Sequence, residues 1–538
     1  MTPSQAASTP PFRRAAGVAV PLFALRGSHD AGTGEILDLV PFIDWLAGWH
    51  QGVVQLLPIN ETAASETSPY NTLSAFAFDP AYISAQDVVD VKHSRAAREW
   101  LASSPVQGRL GRARRSRRRQ RRTAYPLKLR LLELGFEVFE KLPAADRRLH
   151  AFEDFCRTNT AWLDDYALFR ALKEQRRWTS WETWPEPLRV RTPAALAAAA
   201  HALRRRVRFF RYVQWIAAEQ WKAVRAHARR RGVLIKGDLP FVCGRDSADV
   251  WAHQELFDLS SSAGAPPDAF SSTGQAWGLP LYDWPGLRRS GWEWWRQRAR
   301  QARQLYDLVR VDHVVGLFRT YAIPVREGGT AGFVPDDEAA QLEQGQQLLT
   351  AVVEAARPAA VIAEDLGSVP AWVREVLTQI GIPGYKVFRW ERQDGVYAHP
   401  SSYPALSVAT TGTHDTDTLA EWWGTLAADE HAAVVSSLLD GQNGAPQDAT
   451  LPWTPELHLR LLRRLYEATS VLTIVPIQDL FGWRERINTP ATVGPANWTY
   501  RLPTTADRLD QRPGVGERMA AIRALIDASG RWVDIGSV

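Results

Sequence analysis

Cysteine is almost missing from this chain: Cys156 and Cys243 are the only two among 538 residues. Two thiols cannot build a disulfide framework or a cysteine metal cluster, so a reducing, cytoplasmic compartment is expected. Long apolar runs are missing too. No stretch of eighteen apolar residues occurs, so no membrane-spanning helix is expected. Met1–Gly17 lacks the apolar core of a secretory signal. There is no GxxxxGK[ST] phosphate loop, and Gly32-Thr33-Gly34 lacks the third glycine of a dinucleotide fingerprint. The twelve histidines show no zinc-ligand spacing. Neither a metal nor an organic cofactor is expected. Ser28-His29-Asp30 resembles a triad only in print, because working triads converge from separate segments.

An excess of one charge sign is also smaller than it looks. The net charge of +5 includes eight arginines between Arg112 and Arg122, and without them the remainder is slightly acidic. The basic character is therefore one local run, read here as a helix end or a solvated face. No nucleic-acid partner is expected. The competing reading, RNA bound through this run, would show itself as strongly salt-sensitive binding. Tryptophan is abundant at 23 copies. Indole faces stack on sugar rings, but they also pack cores, and composition alone favours packing.

What the chain does contain is a series of short apolar, β-branched runs. They are Gly17–Phe23, Gly52–Pro58, Gly232–Leu239, Leu305–Asp312, Ala359–Glu364, Gly384–Trp390, Ala405–Thr411 and Val471–Ile477. Continuous apolar runs of this length mark strands buried on both faces. Helical patterns separate most of them, for example Trp292–Tyr306 and Glu343–Ala356. Eight alternations predict a parallel (β/α)8 TIM barrel, with an open doubly wound sheet as the alternative. The gap between the second and third runs is too long for one crossover. It predicts a mainly helical insertion over 60–231, with Ala161–Glu174 and Ala194–Arg231 as its clearest helices. Residues 1–16 are expected to be a disordered tail and 17–538 a single barrel. No internal repeat is visible.

Barrel enzymes carry their chemistry at the C-terminal ends of the strands. Acidic residues stand there repeatedly: Asp238, Asp312, Glu364 with Asp365, and Asp415 after the seventh run. One such residue can be a helix cap, whereas several on one rim point to catalysis. Two carboxyls about 5–5.5 Å apart are the requirement of retaining glycosyl transfer.

The motifs Leu308–His313 (LVRVDH), Val361–Gly367 (VIAEDLG) and Thr413–Thr418 (THDTDT) resemble the three catalytic segments of the α-amylase clan. Gly237–Trp284 is similar more narrowly to the amylomaltase, or 4-α-glucanotransferase, family (glycoside hydrolase family 77). So are Ser68–Phe76, Pro476–Asp479, Arg486–Pro490 and Asn497-Trp498. The similarity extends from about Gly17 to about Leu502.

The resemblance implies transfer of an α-1,4-glucan segment to the 4-hydroxyl of another glucan or glucose. Maltose, maltotriose and longer maltodextrins would be the partners, by retaining double displacement. It implies Asp312 as nucleophile, Glu364 as acid/base and Asp415 as transition-state stabiliser. Arg310 matches the arginine that keeps the nucleophile charged, and His313 and His414 match histidines that bond sugar hydroxyls. Tyr70, Asp249, Trp277 and Asn497 fall where the family lines its glucan sites, and Asp365 is placed with this substrate-binding set. Departures from the family pattern are Val314 and Val315 after the nucleophile, and Ala269 and Leu279 in the Trp277 loop.

A hydrolase of the same clan would use the same carboxylates, so the loop around Trp277 is the one sequence argument for transfer. A glucan-binding protein on a retired barrel is the non-enzymatic rival, and the intact carboxylate set speaks against it. The oligomeric state is not legible.

Overall fold

Each of the eight apolar runs forms a strand in the computed structural model, which describes residues 12–267, 274–326, 330–439, 451–490, 492 and 494–532. The strands are β1 (Ala15–Ala19), β2 (Val53–Gln55), β3 (Leu234–Leu239), β4 (Leu308–Val311), β5 (Ala360–Ala363), β6 (Gly384–Val387), β7 (Ser407–Thr410) and β8 (Leu472–Pro476). All pairings are parallel, and each strand neighbours the next in sequence, with β8 returning to β1. That closed order is a TIM barrel; a doubly wound sheet would reverse direction part-way. The seam between β5 and β6 is held by two bonds. Ala363 N–H donates to the Pro383 carbonyl at 2.9 Å. Tyr385 N–H donates to Asp365 Oδ1 at 2.6 Å.

Inward-facing residues from alternate positions fill the barrel floor: Val53, Leu308, Ile362, Val408 and Leu472 form one buried cluster. Phe12 joins this cluster and β1 begins at Ala15, so residues read from sequence as part of the tail pack into the barrel. Residues 1–11 lie outside the described residues. Above the floor the interior becomes polar. Lys236 Nζ, fully buried, donates to Gln55 Oε1 at 2.8 Å and to Tyr385 Oη at 2.5 Å. Burial holds this ammonium well below its ordinary pKa.

Helices cover the barrel, including Leu39–Gly48, Glu293–Leu305, Glu338–Ala356 and Ala371–Ile380. The β6–β7 connection departs from the expected alternation; it carries the two-residue strands Arg392–Gln393 and Val396–Tyr397 in place of an α-helix. The long β2–β3 connection is helical, as its patterning predicts. Its longest helix, Arg204–Arg230, buries Val207, Phe210, Val213, Ala217, Trp221 and Val224 along one face at three- and four-residue steps. The run expected as one helix from Ala194 breaks at Leu203; Pro193–Ala202 is a separate helix that lays Ala195, Leu196, Ala199 and Ala200 part-buried against the core. Glu61 and Arg170 form a fully buried ion pair at 3.0 Å that ties the start of the insertion to the helix Thr160–Gln175.

One element escapes the sequence reading altogether. Phe257–Ala265, Gln275–Tyr282, Thr320–Pro324 and Gly332–Val334 make a four-stranded antiparallel sheet. It stands at the mouth of the barrel and carries Trp277. The arginine run also differs from a uniform solvated face. Arg119 lies buried with its guanidinium 4.5 Å from the Phe23 ring centre, and Arg121 pairs with buried Asp79. Arg115, Arg117, Arg118 and Arg122 remain at the surface. No helix among the described residues is long and apolar enough to cross a membrane.

Candidate active site

The C-terminal ends of β3, β4 and β5 deliver three carboxylates to one guanidinium. Arg310, two residues before Asp312 on β4, faces the barrel interior and is 7% exposed. Its Nη1 donates to both oxygens of Asp238, at 2.7 and 2.8 Å, and to Asp312 Oδ1 at 2.7 Å. Its Nη2 stands 3.8 Å from Glu364 Oε2. A guanidinium is suited to this work because it is planar, permanently charged and offers several donors in fixed directions.

Glu364 is held by backbone. His313 N–H donates to Oε2 at 2.7 Å and Leu366 N–H to Oε1 at 3.1 Å. His313 makes the first bond from a left-handed conformation (φ 47°), an uncommon one for a residue with a side chain. Burial pushes the Glu364 carboxyl up to about 7; Asp312 adds to the push, while Arg310 and the two N–H groups oppose it. A carboxyl of this kind is populated in both protonation states near neutrality.

Asp415 follows β7 and has the opposite electrostatic setting. Burial raises its pKa, but His414 Nε2 at 3.3 Å and the Asn488 Nδ2 donor at 2.7 Å outweigh that and hold it at about 2. His414 in turn is lowered by burial and raised by Asp415, with a net upward shift. Tyr70 packs flat on His414, ring centres 5.3 Å apart, and donates its hydroxyl to Asp238 Oδ2 at 2.8 Å. Trp498 packs tilted against both rings, 5.5 Å from His414 and 6.0 Å from Tyr70. Across the opening, Trp277 meets His313 edge to face at 5.0 Å.

These groups border an open cleft of about 720 Å³ at the barrel mouth. Of the residues singled out from sequence, Tyr70, Trp277, Arg310, Asp312, His313, Glu364, His414 and Asp415 line it. Asp249, Asp365 and Asn497 do not. Asp249 is buried behind the wall, accepts Ala75 N–H at 2.6 Å, and is pushed up to about 7 by burial. Asp365 points to the β5–β6 seam, where it also accepts from Arg374 Nε at 3.2 Å. Asn497 staples its own loop through Thr489 and Thr492. Among the departures, Val314 and Val315 are core residues in a short turn beneath the cleft, Leu279 lines it, and Ala269 lies outside the described residues.

Sequence reasoning left other lining residues without a role. Asn488, Trp390, Asn71 and Glu66 border the cleft, and Trp498 does so beside its quoted neighbour Asn497. Asp238 is visible in the sequence as an acidic strand end, yet its tie to Arg310 and Tyr70 is not.

A family model described as 4-alpha-glucanotransferase matches residues 20–506. The 4-alpha-glucanotransferase of Chlamydia muridarum is 31% identical over 526 residues, covering 94% of each chain. That of Thermus thermophilus is 33% identical over 504 residues, covering 91% of this chain and 95% of the relative. Among solved structures, amylomaltase from Streptococcus agalactiae in complex with acarbose superposes with a TM-score of 0.82 at 26% identity, covering 97% of this chain and all of the other. With the barrel order, the three motifs and nearly full-length likeness in agreement, the chain belongs to the 4-α-glucanotransferase family.

Proposed function

We propose that this chain is an amylomaltase that moves an α-1,4-glucan segment between maltodextrins by retaining double displacement. The supporting observation is the pair of carboxyls set against one guanidinium: Asp312 Oδ1 bonded to Arg310 Nη1 at 2.7 Å, and Glu364 beside the same group with its carboxyl pushed up to about 7 by burial. In the first step Asp312 attacks the anomeric carbon, the glycosidic C–O bond breaks, and Glu364 gives its proton to the departing 4-oxygen. Arg310 engages Oδ1 of Asp312, which leaves Oδ2 for the sugar carbon. In the second step Glu364 takes the proton of the acceptor 4-hydroxyl, whose oxygen displaces Asp312. Asp415, anionic at any working pH, is suited to bind sugar hydroxyls that tighten in the oxocarbenium-like transition state. Tyr70, Trp277, Trp390 and Trp498 offer flat faces for sugar rings along the cleft.

Maltotriose alone, incubated with the purified protein, tests this reading. Oligomers longer than maltotriose should grow in while the reducing-end count stays constant. A rising reducing-end count with only glucose and maltose as products would make it a hydrolase. Turnover by Asp312→Asn would overturn the nucleophile assignment.

A further inference from the structure

The arginine run, which the glucan chemistry does not use, forms one wall of a second cleft of about 810 Å³ beside the active site. Arg115, Arg117 and Arg118 supply that wall. Arg484, Arg486 and Arg512 face them from segments after β8, and Arg26 with buried Arg501 makes the floor. Eight guanidinium groups thus border one concavity, against two carboxylates, Glu421 and Glu485. The carboxylates offset it only in part, since Glu421 feels Arg486 and Arg484 at a distance without an ion pair to either among the described residues. Glu421 caps its own helix through Thr418, and Glu485 makes no ion pair among the described residues. Among those same residues Arg115, Arg117, Arg484 and Arg512 have no acidic partner, whereas Arg501 is spent on Asp30 and Arg486 on Asp417.

Such crowding of like charge costs free energy unless an anion or a carbonyl offsets it. At the floor carbonyls do: Arg26 and Arg501 both bond the Ser116 carbonyl. Even so, burial and its neighbour Arg501 draw Arg26 down to about 10. At the rim no acidic group among the described residues takes that part. Two aromatic side chains also border the space, Trp483 and Tyr500, and the buried Tyr500 hydroxyl has no hydrogen-bond partner among the described residues.

We propose that this cleft is a binding site for a small polyphosphorylated anion, with Arg115, Arg117, Arg484 and Arg512 gripping its phosphate groups. Arginine is suited to this because its fork matches two phosphate oxygens at once. The concave shape, walled by three chain segments, suits a compact ligand better than an extended strand of nucleic acid. The site is distinct from the glucan cleft, although Thr489 borders both.

Titration calorimetry with inorganic tripolyphosphate, fructose 1,6-bisphosphate and ATP, at about 0.15 M salt, tests the assignment. Tripolyphosphate should bind once per chain, and the double variant Arg117→Gln, Arg484→Gln should weaken it by about ten-fold or more per arginine. The variant should keep wild-type disproportionation of maltotriose without anion, which shows that it is folded. ATP binding more tightly than tripolyphosphate would identify a nucleotide, with Trp483 or Tyr500 against the base. Equal affinities would identify the phosphates alone as the ligand's recognised part. The proposal is overturned if none of the three binds the wild type at millimolar concentration, or if binding survives in the variant. A single-stranded RNA that binds more tightly and displaces tripolyphosphate would overturn it in favour of nucleic acid.

Discussion

Arg310 Nη1 and Asp312 Oδ1 lie 2.7 Å apart, and the same nitrogen is shared with both oxygens of Asp238. Asp312, the proposed nucleophile, is thereby fixed in direction by a group that is itself fixed from the far side. Lysine at this position keeps the charge but presents one compact ammonium, which cannot hold both carboxylates in the same geometry. Arg310→Lys should lower kcat for maltotriose by about 10- to 100-fold while KM changes far less. Steady-state kinetics with a folded variant checks this split.

Glu364 gives a prediction about pH. In the proposed acid/base role the carboxyl must carry its proton when the leaving oxygen departs, and burial pushes its pKa up to about 7. The kcat/KM profile should therefore fall as pH rises through about 7, since the acid form is consumed on that side. Glu364→Gln should lose turnover of maltotriose yet retain glycosylation by α-maltosyl fluoride, whose leaving group needs no proton. If the slow variant Glu364→Asp kept the alkaline limb of the profile unchanged, Glu364 would be removed from the acid role.

Asn488, which lies within the Arg486–Pro490 motif, donates to Asp415 Oδ1 at 2.7 Å, a tie that the three-dimensional arrangement alone reveals. Asn488→Ala removes one charge-assisted bond and should cost about ten-fold in kcat. Asn488→Asp places a second negative charge against Asp415 and should cost more. An Asn488→Asp variant as active as Asn488→Ala would show that Asp415 is not anionic in the rate-limiting step.

Asp365 is expected to act on stability rather than on glucan affinity. Its carboxylate accepts the Tyr385 N–H across the seam, and a Cβ added at Gly384 would stand 2.7 Å from Asp365 Oδ2. Asp365→Ala and Gly384→Ala should each destabilise the fold by about 1–3 kcal/mol. Denaturant unfolding measures this, and KM for maltotriose in the surviving native fraction should stay near wild type.

The extent to which this site was legible follows from how each residue signals its task. The barrel strands announce themselves because burial on both faces forces unbroken apolar runs. The antiparallel sheet does not, because Ser260-Ser261-Ser262-Ala263-Gly264 offers no alternation of polar and apolar residues. Carboxylates at strand ends are visible from spacing, and Arg310 from its position two before Asp312. Motif likeness cannot separate a residue that faces the cleft from one that braces it. Glu364 and Asp365 are adjacent, yet strand geometry turns one to the cleft and the other to the seam. Asp249 and Asn497 fail in the same way: each is polar, buried and near the cleft, and each is used by backbone N–H or C=O groups of a loop.

The cluster of Tyr70, His414 and Trp498 joins three distant parts of the chain: the insertion, the turn after β7, and a segment beyond β8. The helical region is consequently not a detachable module. A minimised barrel made by excising 60–231 would lose the Tyr70 hydroxyl that braces Asp238 and leave one face of the His414 ring bare. A shortened form of this region should therefore keep the Ser68–Phe76 loop, and a transplant of the strands that carry the site into another barrel must take that loop with them.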